Sequence, residues 1–541
     1  MSAADAMGTR TAGGKVLTAE AAAGLVRDGA TVGVEGAGRL LLAEAVMSAI
    51  ERRFLTSGHP RGLTLLQPCG FGDDGDAGAS HFAHEGLVRR VVSPGYGDSP
   101  RMAALALANK VEAYCFPQGV VCQMVWAAAS RKPRILSHVG LDTFVDPSQG
   151  GGRLNDVTTT PMVERVAIDG SDWLSFTVVP IDVAIIRGTT ADEFGNMSME
   201  HEPAILEPLT LAQAARANGG LVIAEVKRLA RRGSLHPQLV RVPGILVDAV
   251  VVNPDAWQIH GVERYNPTVS GELRAPRGQA APVTLDERML VARRAAMALR
   301  PGAVINIGFG ISDGVPVVAA QEGLLDDLTI TIEQGTIGGL PMRGRALAAQ
   351  ANVEAIVDQI SQFNFYQGGG LDLAFLSFAE VDAAGNVNVS KFGSRLPGCG
   401  GFIDISQNAK SVVFCGLFGK AGDTRLETGR VQIVGRGRVA KFKQRVEHVT
   451  FSGARAAAVG KPVRYVTERA VFGLGPRGVE VLELAPGCDL EKDVLAEMEF
   501  RPTVAADLRP MDPAIFEAGP LGLRERWGGE AGRAAGRDQW Q

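Results

Sequence analysis

The chain of 541 residues is 46% hydrophobic and 21% charged, a globular composition that excludes a disordered chain and leaves room for a large core. Its 55 Lys plus Arg against 59 Asp plus Glu give a net charge of −4, too even for a protein devoted to binding nucleic acid. Glycine is in excess, at 67 residues or about 12% against ~7% usually, with no collagen-like period, which points to tight strand-to-helix turns and close backbone approach.

The first residues, Met1–Lys15, lack the apolar run of a signal peptide. Buried strands are then predicted at Ala30–Val34, Leu63–Gln67, Asp182–Ile186, Gly220–Val226, Ala303–Gly308, Leu328–Ile332 and Ser411–Gly416. These continuous apolar runs, separated by Ala- and Leu-rich helical segments, are the pattern of largely parallel α/β sheets. Between the first strands lies the longest uncharged stretch, Tyr114–Ser130, which contains Pro117 and Gly119 and falls short of the ~20 apolar residues a membrane helix needs. Further on, Thr284 with Glu287 reads as a capping box opening a helix that runs to Leu299. Six cysteines (69, 115, 122, 399, 415 and 488) are scattered without CxxC spacing, so a soluble, reduced, cytoplasmic protein without a disulfide framework or zinc knuckle is expected.

The chain repeats itself. Asp192–Met199 (DEFGNMSM) matches Asp382–Val389 (DAAGNVNV), and Asp28–Gly38 matches Pro301–Gly310 in a helix, strand and Gly-rich loop. Leu63–Gly70 aligns with Leu328–Gly335, which sets Glu333 opposite Pro68. Two homologous α/β domains are expected, at 1–265 and 283–518, joined by a polar linker at 266–282. A Gly/Arg-rich tail at 519–541 is expected to be disordered. A carboxylate at one strand end and a proline at its counterpart suggest that the second half is catalytic.

Glu333 follows a predicted strand in EQGTIGGLP, where ligands of open parallel sheets bind. The glycines after it allow close approach to a bulky ligand, although a surface glutamate in a glycine turn reads equally well from this motif alone. Gly398–Phe402 (GCGGF) is a turn with amides that can form an oxyanion hole or anion nest, and a plain glycine turn is its simpler reading in isolation. Asn306–Gly314 carries GxGxxxG, one residue longer than the dinucleotide fingerprint, and no GxxxxGK[ST] occurs. His81 and His84 near Asp73, Asp74 and Asp76 read as a solvated polar loop rather than a metal site. Cys399 reads as a small filler more simply than as a nucleophile, and the aromatics of Phe363–Leu376 as core.

Taken together, the segments Ala113–Gly119, Val139–Asn155, Arg187–Asn196, Val242–Val252, Glu333–Pro341, Phe365–Gly393, Gly398–Phe402 and Tyr465–Phe472 resemble the class I coenzyme A transferases. The likeness is to the single-chain acetate/propionate type with fused α-like and β-like halves. It implies two open-sheet α/β domains of the NagB-RpiA-like fold in tandem, and Glu333 as nucleophile. It implies an oxyanion turn at Gly400 and Gly401, and contacts to coenzyme A or substrate from Asn306, Gly308, Gly310, Gly335, Gly338, Gly339, Gln118, Gly398 and Phe402. Acyl-CoA and small carboxylic acids are the implied partners, with no nucleic acid or membrane, and the implied assembly is a homodimer or homotetramer. Ser312-Asp313 and Met342-Arg343 depart from the family pattern.

The chemistry suits the residues. A carboxylate of ordinary pKa, ~4.3, is expected to be ionised at neutral pH and to need no base. It attacks a thioester, and thiolate leaves without an acid because the thiol pKa is roughly 8.5. No ATP, metal or redox cofactor is expected, coenzyme A being a co-substrate and transient adduct. Three other readings are an acyl-CoA hydrolase using the same glutamate, a non-catalytic CoA or metabolite-binding module, and a nicotinamide dehydrogenase resting on GxGxxxG alone.

Overall fold

The computed structural model describes residues 14–276, 284–435 and 440–528. Two ten-stranded sheets organise the chain. In the first, five strands lie in the spatial order Ala249–Val252, Leu221–Ala230, Val183–Asp192, Thr31–Val34 and Leu63–Leu66, and every neighbouring pair is parallel. In the second, Val463–Val466, Ser411–Cys415, Leu373–Ser377, Val304–Ile307 and Thr329–Ile332 repeat that order, again all parallel. Thr31–Val34 and Val304–Ile307 therefore occupy equivalent positions, as the internal repeat requires. The predicted strands all form, because their β-branched and Leu side chains are buried on both faces.

The Asp-x-x-Gly-Asn segments are duplicates down to their hydrogen bonds. Asp192 Oδ1 accepts from the amides of Phe194 and Asn196 at 3.0 and 2.9 Å, and Asn196 Nδ2 donates to Asp192 Oδ2 at 2.9 Å. Asp382 accepts likewise from Ala384, Asn386 and Asn386 Nδ2 at 3.1, 3.0 and 3.0 Å. Each Asn then receives a distant glycine amide, Gly244 onto Asn196 Oδ1 at 2.8 Å and Gly453 onto Asn386 Oδ1 at 2.9 Å.

The halves diverge at their edges. The first sheet continues in parallel through Val88–Val92 and Glu112–Tyr114. The second turns back antiparallel through Thr336–Ile337 on one side and Ala470–Gly475 on the other.

The halves are joined by backbone. Gly95 and Gly398 form an antiparallel bridge, the amides of Tyr96 and Gly97 donate to Pro397 O at 2.8 and 3.0 Å, Gly400 N donates to Pro94 O at 2.8 Å, and Gln118 N donates to Gly400 O at 3.0 Å. Leu396, Cys399 and Ile403 of the second half are packed into the hydrophobic core of the first.

Two sequence expectations are corrected, those for the helix cap and for the tail. The helix opening at the second half is Glu287–Ala296, capped by Asp286, whose carboxylate accepts from Met289 N; this cap lies nearer the first turn than Thr284 and displaces the capping box. The described part of the expected linker is packed on the second half, with Asn352 N donating to Thr268 O at 2.9 Å and Ala275 N to Asn352 Oδ1 at 2.9 Å; residues 277–283 lie outside the described residues. The tail is ordered through Gly528. Gly519 O accepts from Arg293 at 2.9 Å and Trp527 Nε1 donates to Leu299 O at 3.1 Å, while 529–541 lie outside the described residues. No helix among the described residues is long and apolar enough to cross a membrane.

Candidate active site

In both sheets the chain reverses its direction of travel across the sheet beside one central strand. Open α/β sheets bind ligands at such a switch point, off the carboxyl ends of the strands. In the second half that point lies between Val304–Ile307 and Leu373–Ser377. A cleft of about 1640 Å³, partly open to solvent, lies there between the halves. The first half contributes Gly38, Cys69, Gly70, Asp98 and Gln118, and the second Asn306, Gly308, Gly310, Glu333, Ser377 and the turn Gly398–Phe402.

Glu333 follows the strand Thr329–Ile332 directly. Gln334 Nε2 donates to its Oε1 at 3.2 Å. A Cβ added to Gly401 would overlap its Oε2, so the backbone of the turn lies against the carboxylate. Burial raises the Glu333 pKa to about 7, and the Gln334 side chain and Gly401 amide hold it from rising further. The expectation of an ordinary carboxylate is thereby corrected: at neutral pH the group is divided between acid and carboxylate.

The turn does not offer its amides equally. Gly400 N is committed to Pro94 O and Phe402 N to Cys399 O at 3.0 Å. Gly401 N faces the carboxylate, so the expected pair of donors from Gly400 and Gly401 reduces to Gly401. Beside the turn, Gln118 of the first half donates its amide to Gly400 O at 3.0 Å, and its Nε2 is buried with no partner among the described residues. The Oδ1 of Asn306 is similarly buried and unpaired, while its Nδ2 donates to Thr331 O and Tyr366 OH at 3.3 Å each.

Not every glycine flagged in the sequence reaches the cleft. Gly335, Gly338 and Gly339 are pressed against neighbouring chain: Cβ atoms there would overlap Val357 O, crowd Glu354 at 2.7 Å and overlap Ala351 O. They allow the segment after Glu333 to pack as a hairpin, not to approach a ligand. Gly308 and Gly310 do line the cleft, and they also admit the strand Leu373–Ser377 at close range, a Cβ on Gly310 falling 2.5 Å from Ser377 Oγ. The departures from the family pattern sit aside from the cleft. Ser312 Oγ donates to Gly308 O at 2.8 Å, and Asp313 and Arg343 line a separate cavity.

Three acidic and polar groups escaped the sequence reading. Asp404, three residues after Gly401, is fully buried. It accepts from Gly119 N at 3.2 Å and from Gln367 Nε2 at 2.8 Å, and burial raises its pKa to about 7, with Glu333 adding to the rise. Asp98 is raised to about 7 by burial, by Asp74 and by Glu333, against the pull of Arg39. Gln334 lay inside the EQG motif but carried no signal of its own. The histidines are not in a solvated loop: His81 lies against Glu51 and Glu44 at 2.6 and 3.1 Å, and His84 against Glu51 at 2.5 Å. They brace Ala79–Phe82 on the helix Glu44–Ser57.

Comparison with known proteins gives the family and the fold. The family model described as Coenzyme A transferase matches residues 16–253. The sequence is 44% identical to the acetate CoA-transferase YdiF of Escherichia coli K12 over 94% of this chain and 96% of that protein. It is 42% identical to the caffeate CoA-transferase of Acetobacterium woodii over 95% and 98%. The crystal structure of the E. coli O157:H7 YdiF apoenzyme superposes with a TM-score of 0.90 at 43% identity, covering 94% of this chain and 97% of that one. The structure of the same enzyme as a thioester complex with CoA superposes at 0.89.

Proposed function

The chain belongs to the coenzyme A transferase family, and within it we propose that Glu333 is the nucleophile that moves coenzyme A from a short-chain acyl-CoA to a free carboxylate. The observation that carries this reading is the Glu333 carboxylate held at a strand end, in the interdomain cleft, against the Gly401 amide.

As the carboxylate, Glu333 attacks the thioester carbonyl. The C–S bond breaks to give a mixed glutamyl anhydride and CoA thiolate. The thiolate attacks the glutamyl carbonyl, releases the donor's carboxylate and leaves CoA on Glu333 as a thioester. An incoming carboxylate reverses the sequence and departs as a new acyl-CoA. Each tetrahedral intermediate carries an oxyanion. In this reading Gly401 N, against Glu333, and the buried Gln118 Nε2 beside the same turn receive it, and one such donor contributes about 2.7–4 kcal/mol in comparable sites. The sequence balances without ATP, metal or redox cofactor. Water must be kept from both covalent intermediates, and the backbone joint between the halves at Pro94–Gly97 and Pro397–Gly400 closes one side of the cleft.

The apolar part of the cleft, with Phe309, Phe378, Phe392 and Phe402, gives room for the acyl group and the pantetheine arm. The relatives carry the names of an acetate and a caffeate enzyme at nearly equal identity, so the acid is decided by assay. Acetyl-, propionyl- and butyryl-CoA, each offered acetate, propionate, butyrate or a cinnamate-type acid, are scored by mass spectrometry of the product thioesters. Fast exchange among the short aliphatic acids supports the reading. Exchange confined to the aromatic acid, or consumption of donor without acceptor, replaces it with an aromatic-acid transferase or a hydrolase.

A further inference from the structure

Two thiols meet where the halves are joined. Cys115, just after the strand Glu112–Tyr114, and Cys399, inside the turn Gly398–Phe402, have their Sγ atoms 3.5 Å apart. Among the described residues Cys115 Sγ also contacts Pro94 O and Cys399 Sγ contacts Phe116 O, both at 3.4 Å. Cys115 is fully buried, whereas Cys399 is 4% exposed and lines the cleft. The pair is therefore reached from the cleft, through Cys399.

We propose that Cys115 and Cys399 are a redox-modifiable pair that hydrogen peroxide entering the cleft converts to a disulfide, tying the first half of the chain to the turn that carries Gly401 and arresting turnover. In the first step the Cys399 sulfur attacks a peroxide oxygen and the O–O bond breaks. The thiol becomes a sulfenic acid, and the departing hydroxide takes up the thiol proton as water. In the second, the Cys115 sulfur attacks the Cys399 sulfur, the S–O bond breaks, the S–S bond forms and a second water leaves. Two thiols lose two electrons and one peroxide gains them.

The geometry gives the bond a consequence. A disulfide is ~2.04 Å long, so the sulfurs close by about 1.5 Å from their present 3.5 Å separation. Cys399 is two residues from Gly401, which packs on the Glu333 carboxylate. A displacement of about 1 Å at a catalytic group can cost ~10²-fold in rate. Burial raises the Cys399 thiol, with Cys115 adding to the rise, so the reaction is slow and depends on access through an unoccupied cleft.

The test treats the full-length protein with hydrogen peroxide, quenches it and divides the sample. Intact mass should fall by two hydrogens, and digestion without reductant should yield a Cys115–Cys399 linked peptide. Transferase rate should fall by at least about tenfold and recover with dithiothreitol. Cys115→Ser should keep its basal rate and give no linked peptide; Cys115→Ala serves if that variant folds poorly. The linked peptide is read without any activity, so its outcome is separate from the assignment of the reaction. Inactivation without this peptide, or the peptide with an unchanged rate, overturns the proposal.

Discussion

The backbone of Gly401 lies against the carboxylate of Glu333 so closely that a Cβ at 401 would overlap Oε2 and stand 3.0 Å from Phe363 Cζ. Gly401 has φ −83°, a conformation open to any residue, so alanine there brings no backbone strain and acts on the carboxylate. Gly401→Ala should lower kcat by ~10²-fold or more with a melting curve close to the parent's. Gly400 is the contrast. Its φ is +50° and its amide is already bonded to Pro94 O. Gly400→Ala should cost about 1–2 kcal/mol in stability and change kcat only severalfold. Steady-state kinetics with thermal melts on both variants decide between them.

A nucleophile with a pKa of about 7 makes a specific demand on pH. The acid form of Glu333 does not attack, so kcat/KM should rise with pH up to about 7 and level off above it. Stability runs the other way. Between the unfolded carboxyl value of ~4.3 and the folded value of about 7, the folded protein holds more protons, so stability falls as pH rises through that window. Asp404 and Asp98, each raised to about 7 with Glu333 as a contributor, act in the same direction. The melting temperature of Glu333→Gln relative to the parent should therefore increase from pH 5 to pH 8. A pH-independent difference would contradict the buried-carboxyl description.

Gly119 lies where the halves meet below the site. A Cβ there would fall 2.6 Å from Asp404 Oδ1, 2.7 Å from Gln367 Nε2 and 2.8 Å from Phe363 Cγ. Gly119→Ala should cost about 1–3 kcal/mol through overpacking, and should also depress kcat because the neighbouring Gln118 donor shifts. Urea denaturation and kinetics on one preparation separate the two effects.

The duplicated Asp loops test the repeat. Each carboxylate accepts three hydrogen bonds from its own loop. Asp192→Ala and Asp382→Ala should each lose about 1–3 kcal/mol, similar in size because the geometries are duplicates. Urea midpoints should show two comparable shifts.

The strands and the duplication were legible in the sequence because buried parallel strands leave continuous apolar runs and the Asp-x-x-Gly-Asn loop is held by its own short-range bonds. The strand-end position of Glu333 followed from the same pattern. What the sequence did not disclose depends on contacts between distant segments. The commitment of Gly400 N to Pro94, the Gln118 Nε2 that has no partner among the described residues and the burial that lifts Glu333 all arise where the halves meet. The glycines after Glu333 looked like room for a ligand, but the space they provide is filled by 351–357. Asp404 was hidden because nothing local distinguishes a buried aspartate three residues into a helix from a solvated one.

The central claim is that Glu333 carries coenzyme A during turnover. Incubating the protein with acyl-CoA and no acceptor should trap it, with intact mass rising by one coenzyme A less one water and peptide mapping placing the adduct on Glu333. Glu333→Gln should lose both adduct and turnover, and Glu333→Asp should retain little activity, because one methylene shifts the carboxylate by about 1 Å, enough to cost ~10²-fold. An adduct found on Cys399 instead, or full turnover in Glu333→Ala, would contradict the account.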